Sequence, residues 1–263
     1  VYIVTNKQRP VWFKENEWVT IVDHEEFIPH EFLPTFNSVT IETYLSKIPG
    51  LSERFLLFND DMFVNAPLTP SFFFEGERPR VRLLMDQKRW QFSTVEEAQK
   101  ALEDSNVSSF RKTMINAWIA FSEKHGVSPF YVLAHTVDAY TKSCINQVQS
   151  QYPELLERNN YPFRTDRDIQ RVIYQMEMVQ SMNCPLTIAK LPTFFQKHLP
   201  FIADKSLETF EGTESKKTWS RIRSLKPKMF CLNAAMNPDS SIKEESRRLL
   251  EELFPNPSPN EKF

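Results

Sequence analysis

Two adjacent carboxylates, Asp60 and Asp61, stand at the end of the apolar run Phe55-Leu-Leu-Phe58, directly after Asn59. A carboxylate taken out of water without a partner is strongly disfavoured, so the pair requires a cation, a cluster of donors or solvent. A hard divalent cation takes oxygen ligands of this kind and would carry a pyrophosphate, which makes Asp60 and Asp61 the candidate metal ligands. The plain alternative is a polar turn with Asp60 as a cap. A second candidate is His135, delivered at the end of the expected strand Phe130–Ala134. A third is Arg164, in the polar stretch 159–168, expected just before a helix N-terminus where anions are held. Asp168 either works with these groups or caps the helix that follows.

Composition narrows the ways in which phosphate could be bound. The 4 glycines (Gly50, Gly76, Gly126, Gly212) are scattered, so no Gly-rich phosphate loop exists. Metal, Arg/Lys or helix N-termini must do that work. A net charge of −2 gives no global field that would select nucleic acid. The 3 cysteines, Cys144, Cys184 and Cys231, show neither metal spacing nor a disulfide framework, which suits a reducing compartment. No apolar run reaches the roughly 20 residues of a membrane span, and no signal peptide is read at the start. The chain opens on a strand-like segment, so an upstream part is expected to be missing.

The elements that must position these groups alternate between strand and helix. Val1–Val4 reads as a buried strand, and the polar loop after it, Thr5–Pro10, is of the kind that faces a ligand. Trp18–Val22 is a second strand. Asn37 or Ser38 caps a helix whose Ile41, Tyr44, Leu45 and Ile48 share one face, with Gly50 as its stop. The run 55–63 is a strand buried on both faces. Residues 91–126 form a helical insertion opened by the capping box Thr94-x-x-Glu97. Helices follow over about 138–151 and from about Asp166, the latter with Ile169, Val172, Ile173, Met176 and Val179 as a core stripe. Residues 184–228 form an irregular basic connector. Met229–Leu232 is a last strand, and Ser241-x-x-Glu244 opens a last helix. Two basic runs, Arg78/Arg80/Arg82/Lys88/Arg89 and Lys216/Lys217/Arg221/Arg223/Lys226/Lys228, read first as solvated faces and second as anion-binding rims. The fold class is α/β, a mostly parallel central sheet flanked by helices, in one domain over 1–263.

Taken together, the motifs resemble a known family. Tyr2-Ile-Val-Thr-Asn6, Val22-Asp-His24, Leu33-Pro-Thr-Phe-Asn-Ser38, Ile48-Pro-Gly-Leu-Ser52 and Phe58-Asn-Asp-Asp-Met62 are similar to the second conserved block of the Stealth proteins. Ala134-His135 with Arg164 and Asp168 resembles the third block. Lys228-Met-Phe-Cys-Leu-Asn233 and Phe254-Pro-Asn-Pro-Ser258 resemble the fourth. The family's first block is absent. Where the fourth block continues Leu-Asn-Asp, this chain has Ala234, which leaves that carboxylate's role open, with Asp239 as a substitute.

The resemblance implies a nucleotide-sugar-transferase-like fold and a hexose-1-phosphate transferase. Short loops favour the bacterial capsule branch over the animal enzymes that modify lysosomal glycans. The implied reaction moves hexosamine-1-phosphate from a UDP-N-acetylhexosamine to a sugar hydroxyl, releases UMP and builds a phosphodiester-linked glycan, with Mg²⁺ or another divalent cation as cofactor. The implied roles are His135 as general base, Asp168 as its orienter or as a partner for Arg164, and Asp60 and Asp61 on the metal with help from Asn59. Arg164 and Lys228 would grip phosphate oxygens. Thr5, Asn6, Gln8, Asn37, Ser38 and Asn233 would line the donor pocket. The partners implied are the UDP-sugar and the growing glycan, with scope for homo-oligomers and for peripheral association at the cytoplasmic face of the plasma membrane. Two other classes stay open: a metal-dependent glycosyltransferase releasing UDP, and a non-catalytic glycan- or nucleotide-binding module.

Overall fold

The computed structural model describes residues 1–84, 92–127, 134–190, 206–207, 215–232 and 240–261. Its strands are β1 (Tyr2–Thr5), β2 (Thr20–Asp23), β3 (Arg54–Leu57), β4 (Met62–Val64), β5 (Phe74–Glu75), β6 (Arg78–Pro79), β7 (Val81–Leu84), β8 (Asp138–Thr141), β9 (Leu186–Lys190), β10 (Ser206–Leu207) and β11 (Met229–Cys231). Its helices are α1 (Ser38–Thr43), α2 (Pro70–Phe73), α3 (Val95–Leu102), α4 (Ser109–His125), α5 (Lys142–Gln151), α6 (Glu154–Arg158), α7 (Val172–Gln180), α8 (Ser215–Leu225) and α9 (Ser240–Leu253). The strand expected over Phe130–Ala134 lies outside the described residues except for Ala134, and Lys88, Arg89, Asn233, Ala234 and Asp239 lie outside them altogether.

The architecture is mixed α/β. Among the described residues the strands form small sheets, with three parallel pairings (β1–β2, β7–β9, β10–β11) and three antiparallel ones (β3–β8, β4–β11, β5–β6). The mostly parallel central sheet expected from the sequence is not what these pairings show. The two that carry the site residues are antiparallel.

Three expected elements need correction. The run 55–63 is two strands around a turn: β3 stops at Leu57, β4 starts at Met62, and Phe58–Asp61 lies between them. It is not buried on both faces, since β3 is half-buried and Phe58 is 45% exposed beside a cavity. β1 is likewise half-open, because among the described residues β2 covers it on one edge only. The helix expected from about 138 starts later. Asp138–Thr141 is a fully buried strand paired to β3, and α5 begins at Lys142 with the Thr141 hydroxyl accepting the Cys144 N–H. Its pattern of apolar and polar residues fits either element, and the partner strand decides.

Other elements follow the pattern of their residues. The Asn37 side chain caps α1 by accepting the Val39 N–H at 3.1 Å. Ile41, Tyr44, Leu45 and Ile48 then pack with Val22, Phe27 and Ile28. Gly50 ends this segment at φ 73°, a left-handed conformation that a side chain disfavours. The largest core joins α3, α4, α5 and α7, with Trp118, Val148, Leu155, Val172, Ile173 and Met178 at full burial. Each such side chain contributes roughly 1.5–3 kcal/mol. Residues 92–126 thus supply part of the main core, and α4 also supplies Phe110 and Asn116 to the site region.

Candidate functional site

Two antiparallel ladders converge on the turn Asn59–Asp61. Register pairs Leu57 of β3 with Asp138 of β8, so the residues before Asp138 lie beside those after Leu57 and His135 reaches the turn. On the other side Met62 of β4 pairs with Cys231 of β11, and the Leu232 N–H donates to the Asp61 carbonyl at 2.9 Å. Asp61 therefore receives His135 from one ladder and Cys231 from the other. Its Oδ2 lies 3.3 Å from His135 Nε2 and accepts the Cys231 thiol at 3.1 Å. Its Oδ1 is buried and has no hydrogen-bond partner among the described residues. Asp60 is exposed, its carboxylate has no hydrogen-bond or ion-pair partner among the described residues, and it lines both adjoining cavities.

These cavities share a wall. The smaller, about 290 Å³, is lined by Ser38, Asn59, Asp60, His135 and Arg164 together with Glu42, Phe110, Gln170 and Arg171. The larger, about 760 Å³, also touches Ser38, Glu42, Asn59 and Asp60, and is otherwise walled mainly by apolar residues such as Ile3 of β1, Ile41 of α1, Leu45 just beyond it and Phe55 of β3, with Ser52 and Arg54 among them. His24 lines it as well, with Nδ1 buried and without a partner among the described residues. Burial lowers the His24 imidazole below its ordinary range, against the pull of Asp23. Charged groups thus collect in one half of the cleft and apolar surface in the other, within the size range of small-ligand sites.

Arg164 comes from the segment 159–170, which is tied to 35–40. Phe36 N–H donates to the Pro162 carbonyl at 2.8 Å, Phe36 stacks on Phe163, and the Thr40 hydroxyl bonds the Asn159 carbonyl. This places the Arg164 guanidinium 2.8 Å from Ser38 Oγ and 5.3 Å from the Phe110 ring centre. The helix expected directly after it begins only at Val172, so Arg164 owes its position to Ser38 and Phe110 instead of a following helix N-terminus.

Asp168 has a different task from the one expected. It is fully buried and accepts from Asn37 Nδ2 at 2.6 Å, Thr165 Oγ1 at 2.5 Å and Thr165 N at 3.2 Å. It contacts neither His135 nor Arg164 among the described hydrogen bonds, and the partner of His135 is Asp61. Asn37 is likewise 1% exposed and ties this knot rather than lining a cavity. Asp168→Ala would strand buried donors at about 1–3 kcal/mol each. Urea or thermal unfolding should show a loss of about 2–4 kcal/mol; unchanged stability would return Asp168 to a chemical role.

A charged cluster that the sequence reading missed forms the floor. Arg171 donates to Glu42 at 2.6 Å and to Asp138 at 3.0 Å, and Gln175 donates to the other Asp138 oxygen at 2.8 Å. Burial pushes both carboxyls above their ordinary range, and the Arg171 charge opposes that rise. Arg171→Met would leave two buried acids without their cation, at a cost of about 3–5 kcal/mol. The check is a denaturant midpoint; a midpoint like the parent's would contradict the role given to Arg171. The signal that could have found it is a cation inside the apolar stripe Ile169–Ile173.

Several expected pocket residues lie elsewhere. Thr5 donates to Asp23 at 3.1 Å, and neither it, Asn6 nor Gln8 lines the described cavities. Lys228 Nζ lies 4.7 Å from the centre of the Phe72 ring, away from the cleft. Asn233 lies outside the described residues. Arg78 and Arg80 pair with Glu75, and Arg223 with Glu252, as solvated faces do. No helix among the described residues is long and apolar enough to cross a membrane.

The smaller cavity thus gathers an imidazole, carboxylates and guanidinium groups, side chains of the kinds that can meet phosphates and divalent cations. Residues 1–81 match the family model Stealth protein CR2, conserved region 2. It is 33% identical over 172 residues, 64% of this chain and 44% of the other, to the capsular polysaccharide phosphotransferase LcbA of Neisseria meningitidis. It is 50% identical over 76 residues, 29% of this chain and 21% of the other, to the Aeromonas hydrophila protein of the same name. It is 49% identical over 78 residues, 29% and 23% of the two chains, to the exopolysaccharide phosphotransferase cps2G of Lactiplantibacillus plantarum. The chain spans less than half the length of these curated relatives. Asn59, Asp60, Asp61 and Ser38 fall inside the matched conserved region, and His135 and Arg164 beyond it.

Proposed function

We propose that the chain is a capsular or exopolysaccharide phosphotransferase that takes hexosamine-1-phosphate from a UDP-N-acetylhexosamine and passes it to a sugar hydroxyl of a growing glycan, releasing UMP. The observation that carries this reading is the cleft itself: Asp60, Asn59, His135 and Arg164 line one cavity, with Asp61 on His135. The names of the relatives support the phosphotransfer class.

In this reading the acceptor oxygen attacks the sugar-bearing phosphorus. The bond from that phosphorus to the UMP oxygen breaks, the sugar–oxygen bond stays intact, and the anomeric configuration is kept. Ionised Asp61 faces the Nε2–H of His135, which leaves the Nδ1 lone pair to take the acceptor proton. Asp61 thereby fills the orienting role first expected of Asp168. Arg164, held by Ser38, meets phosphoryl oxygens, and positioning with charge neutralisation supplies most of the rate. The uridine and sugar would occupy the larger cavity, against its apolar wall. The oxygen donors fit Mg²⁺: Asp60, without a partner among the described residues, and the buried Oδ1 of Asp61 would hold it, with Asn59 beside them. Once bound, Mg²⁺ neutralises charge on the pyrophosphate. UDP-sugar use places the reaction on the cytoplasmic side of the membrane, with the glycan as partner.

The test is incubation with a panel of UDP-sugars, Mg²⁺ and acceptor glycan, with identification of the released nucleotide. UMP is expected. UDP would mark glycosyl transfer, and donor binding without release would mark a binding module.

A further inference from the structure

The three residues that meet at the Asn59–Asp61 turn have a donor set unlike that of the oxygen-only site proposed for Mg²⁺. Asp61, His135 and Cys231 each offer one ligand atom, and all three atoms lie within 4.8 Å of one another. We infer that they form a second site, for a thiophilic divalent cation of the Zn²⁺ class, and that its occupation switches the cleft off.

The geometry is close to what such an ion needs. A tetrahedral ion with ligands at about 2.0–2.3 Å holds neighbouring ligand atoms roughly 3.3–3.8 Å apart. His135 Nε2 to Asp61 Oδ2 is already 3.3 Å and Cys231 Sγ to Asp61 Oδ2 is 3.1 Å. The nitrogen–sulfur pair, within 4.8 Å, has to close by about 1.3 Å at most, and the sulfur–oxygen pair has to open by about 0.4 Å. One oxygen, one nitrogen and one sulfur select Zn²⁺ over Mg²⁺, which avoids thiolate. Ionised Asp61 and a Cys231 thiolate carry the two negative charges that balance the ion. Binding sends the thiol proton to solvent.

The frame around the trio is firm. Cys231 is fully buried and paired across the ladder to Met62, and the Asp61 carbonyl is held by Leu232. His135 is 30% exposed on the cavity side, so a fourth ligand position opens towards the cleft. A bound ion would occupy His135 Nε2 and Asp61 Oδ2 together and take the imidazole away from its orienting carboxylate. That inhibitory consequence rests on the reaction proposed above. Metal binding by the trio does not.

The test uses Co²⁺ as a spectroscopic stand-in for Zn²⁺, in excess Mg²⁺. The chain should bind one equivalent and show a thiolate-to-cobalt charge-transfer band. Cys231→Ala should abolish the band and weaken Zn²⁺ binding by about 100-fold or more, as loss of one of three protein ligands requires. A Cys144→Ala/Cys184→Ala double variant should keep both. Cobalt bound without the band in the parent chain, or a band that survives Cys231→Ala, would overturn the site. In the transfer assay, Zn²⁺ at about one equivalent should suppress turnover in millimolar-range Mg²⁺. Suppression that persists unchanged in Cys231→Ala would also overturn the proposal. The band with full turnover would confirm the ion site, overturn the switch, and count against His135 as the base.

Discussion

His135→Ala is expected to lower phosphosugar transfer by about 10²–10⁴-fold while donor affinity changes by less than about threefold. Among the described residues of the cleft, the His135 imidazole has a carboxylate partner, Asp61 at 3.3 Å, that would orient it for proton acceptance. Losing it removes proton acceptance from the acceptor hydroxyl, a step that donor binding does not need. The check is a pair of measurements on the same variant: steady-state transfer, and UDP-sugar binding by calorimetry. If affinity falls along with turnover, His135 is a binding residue and the proposed base is another group.

The second large effect separates the two neighbouring acids. Asp60→Asn should raise the Mg²⁺ concentration for half-maximal transfer by about 10²-fold, near 2.7 kcal/mol, and excess metal should restore much of the rate. Asp61→Asn should lower transfer by about 10³-fold or more and resist rescue, because the same side chain offers Oδ1 to the metal and Oδ2 to His135. Both variants keep the side-chain volume, so the fold is retained. Equal rescue of the two by Mg²⁺ would contradict the double role of Asp61. An unchanged metal requirement in both would remove the turn from the metal site.

The reach of the sequence was uneven for physical reasons. α1 and its apolar face were readable because Asn37 is a cap and the spacing Ile41, Tyr44, Leu45, Ile48 is local. The twin acids were readable because a carboxylate pair after an apolar run has few inexpensive explanations. β8 was not, because Asp138–Thr141 becomes a strand only by pairing with β3, more than about 80 residues earlier. Cys231 was missed for the same kind of reason: its partner Asp61 is 170 residues away, so no spacing rule sees the pair. Arg171 and Glu42 are 129 residues apart and meet only in the folded floor of the cleft. Asp168 misled through its closeness in sequence to Arg164. The fold turns its carboxylate inwards to Asn37 and Thr165, where it ties the loop that carries Arg164. Thr5 similarly lies in a loop that looked ready for a ligand, and its hydroxyl serves Asp23.

The central claim is that the donor's two phosphates sit on a cation held at the Asn59–Asp61 turn. Mn²⁺ in place of Mg²⁺, with a UDP-sugar bound, tests it through phosphorus–manganese coupling in electron–nuclear double resonance. The prediction is phosphorus coupling in the parent chain that disappears in Asp60→Asn and Asp61→Asn at the same metal concentration. Bound Mn²⁺ and bound donor without phosphorus coupling, or coupling indifferent to both substitutions, would contradict it.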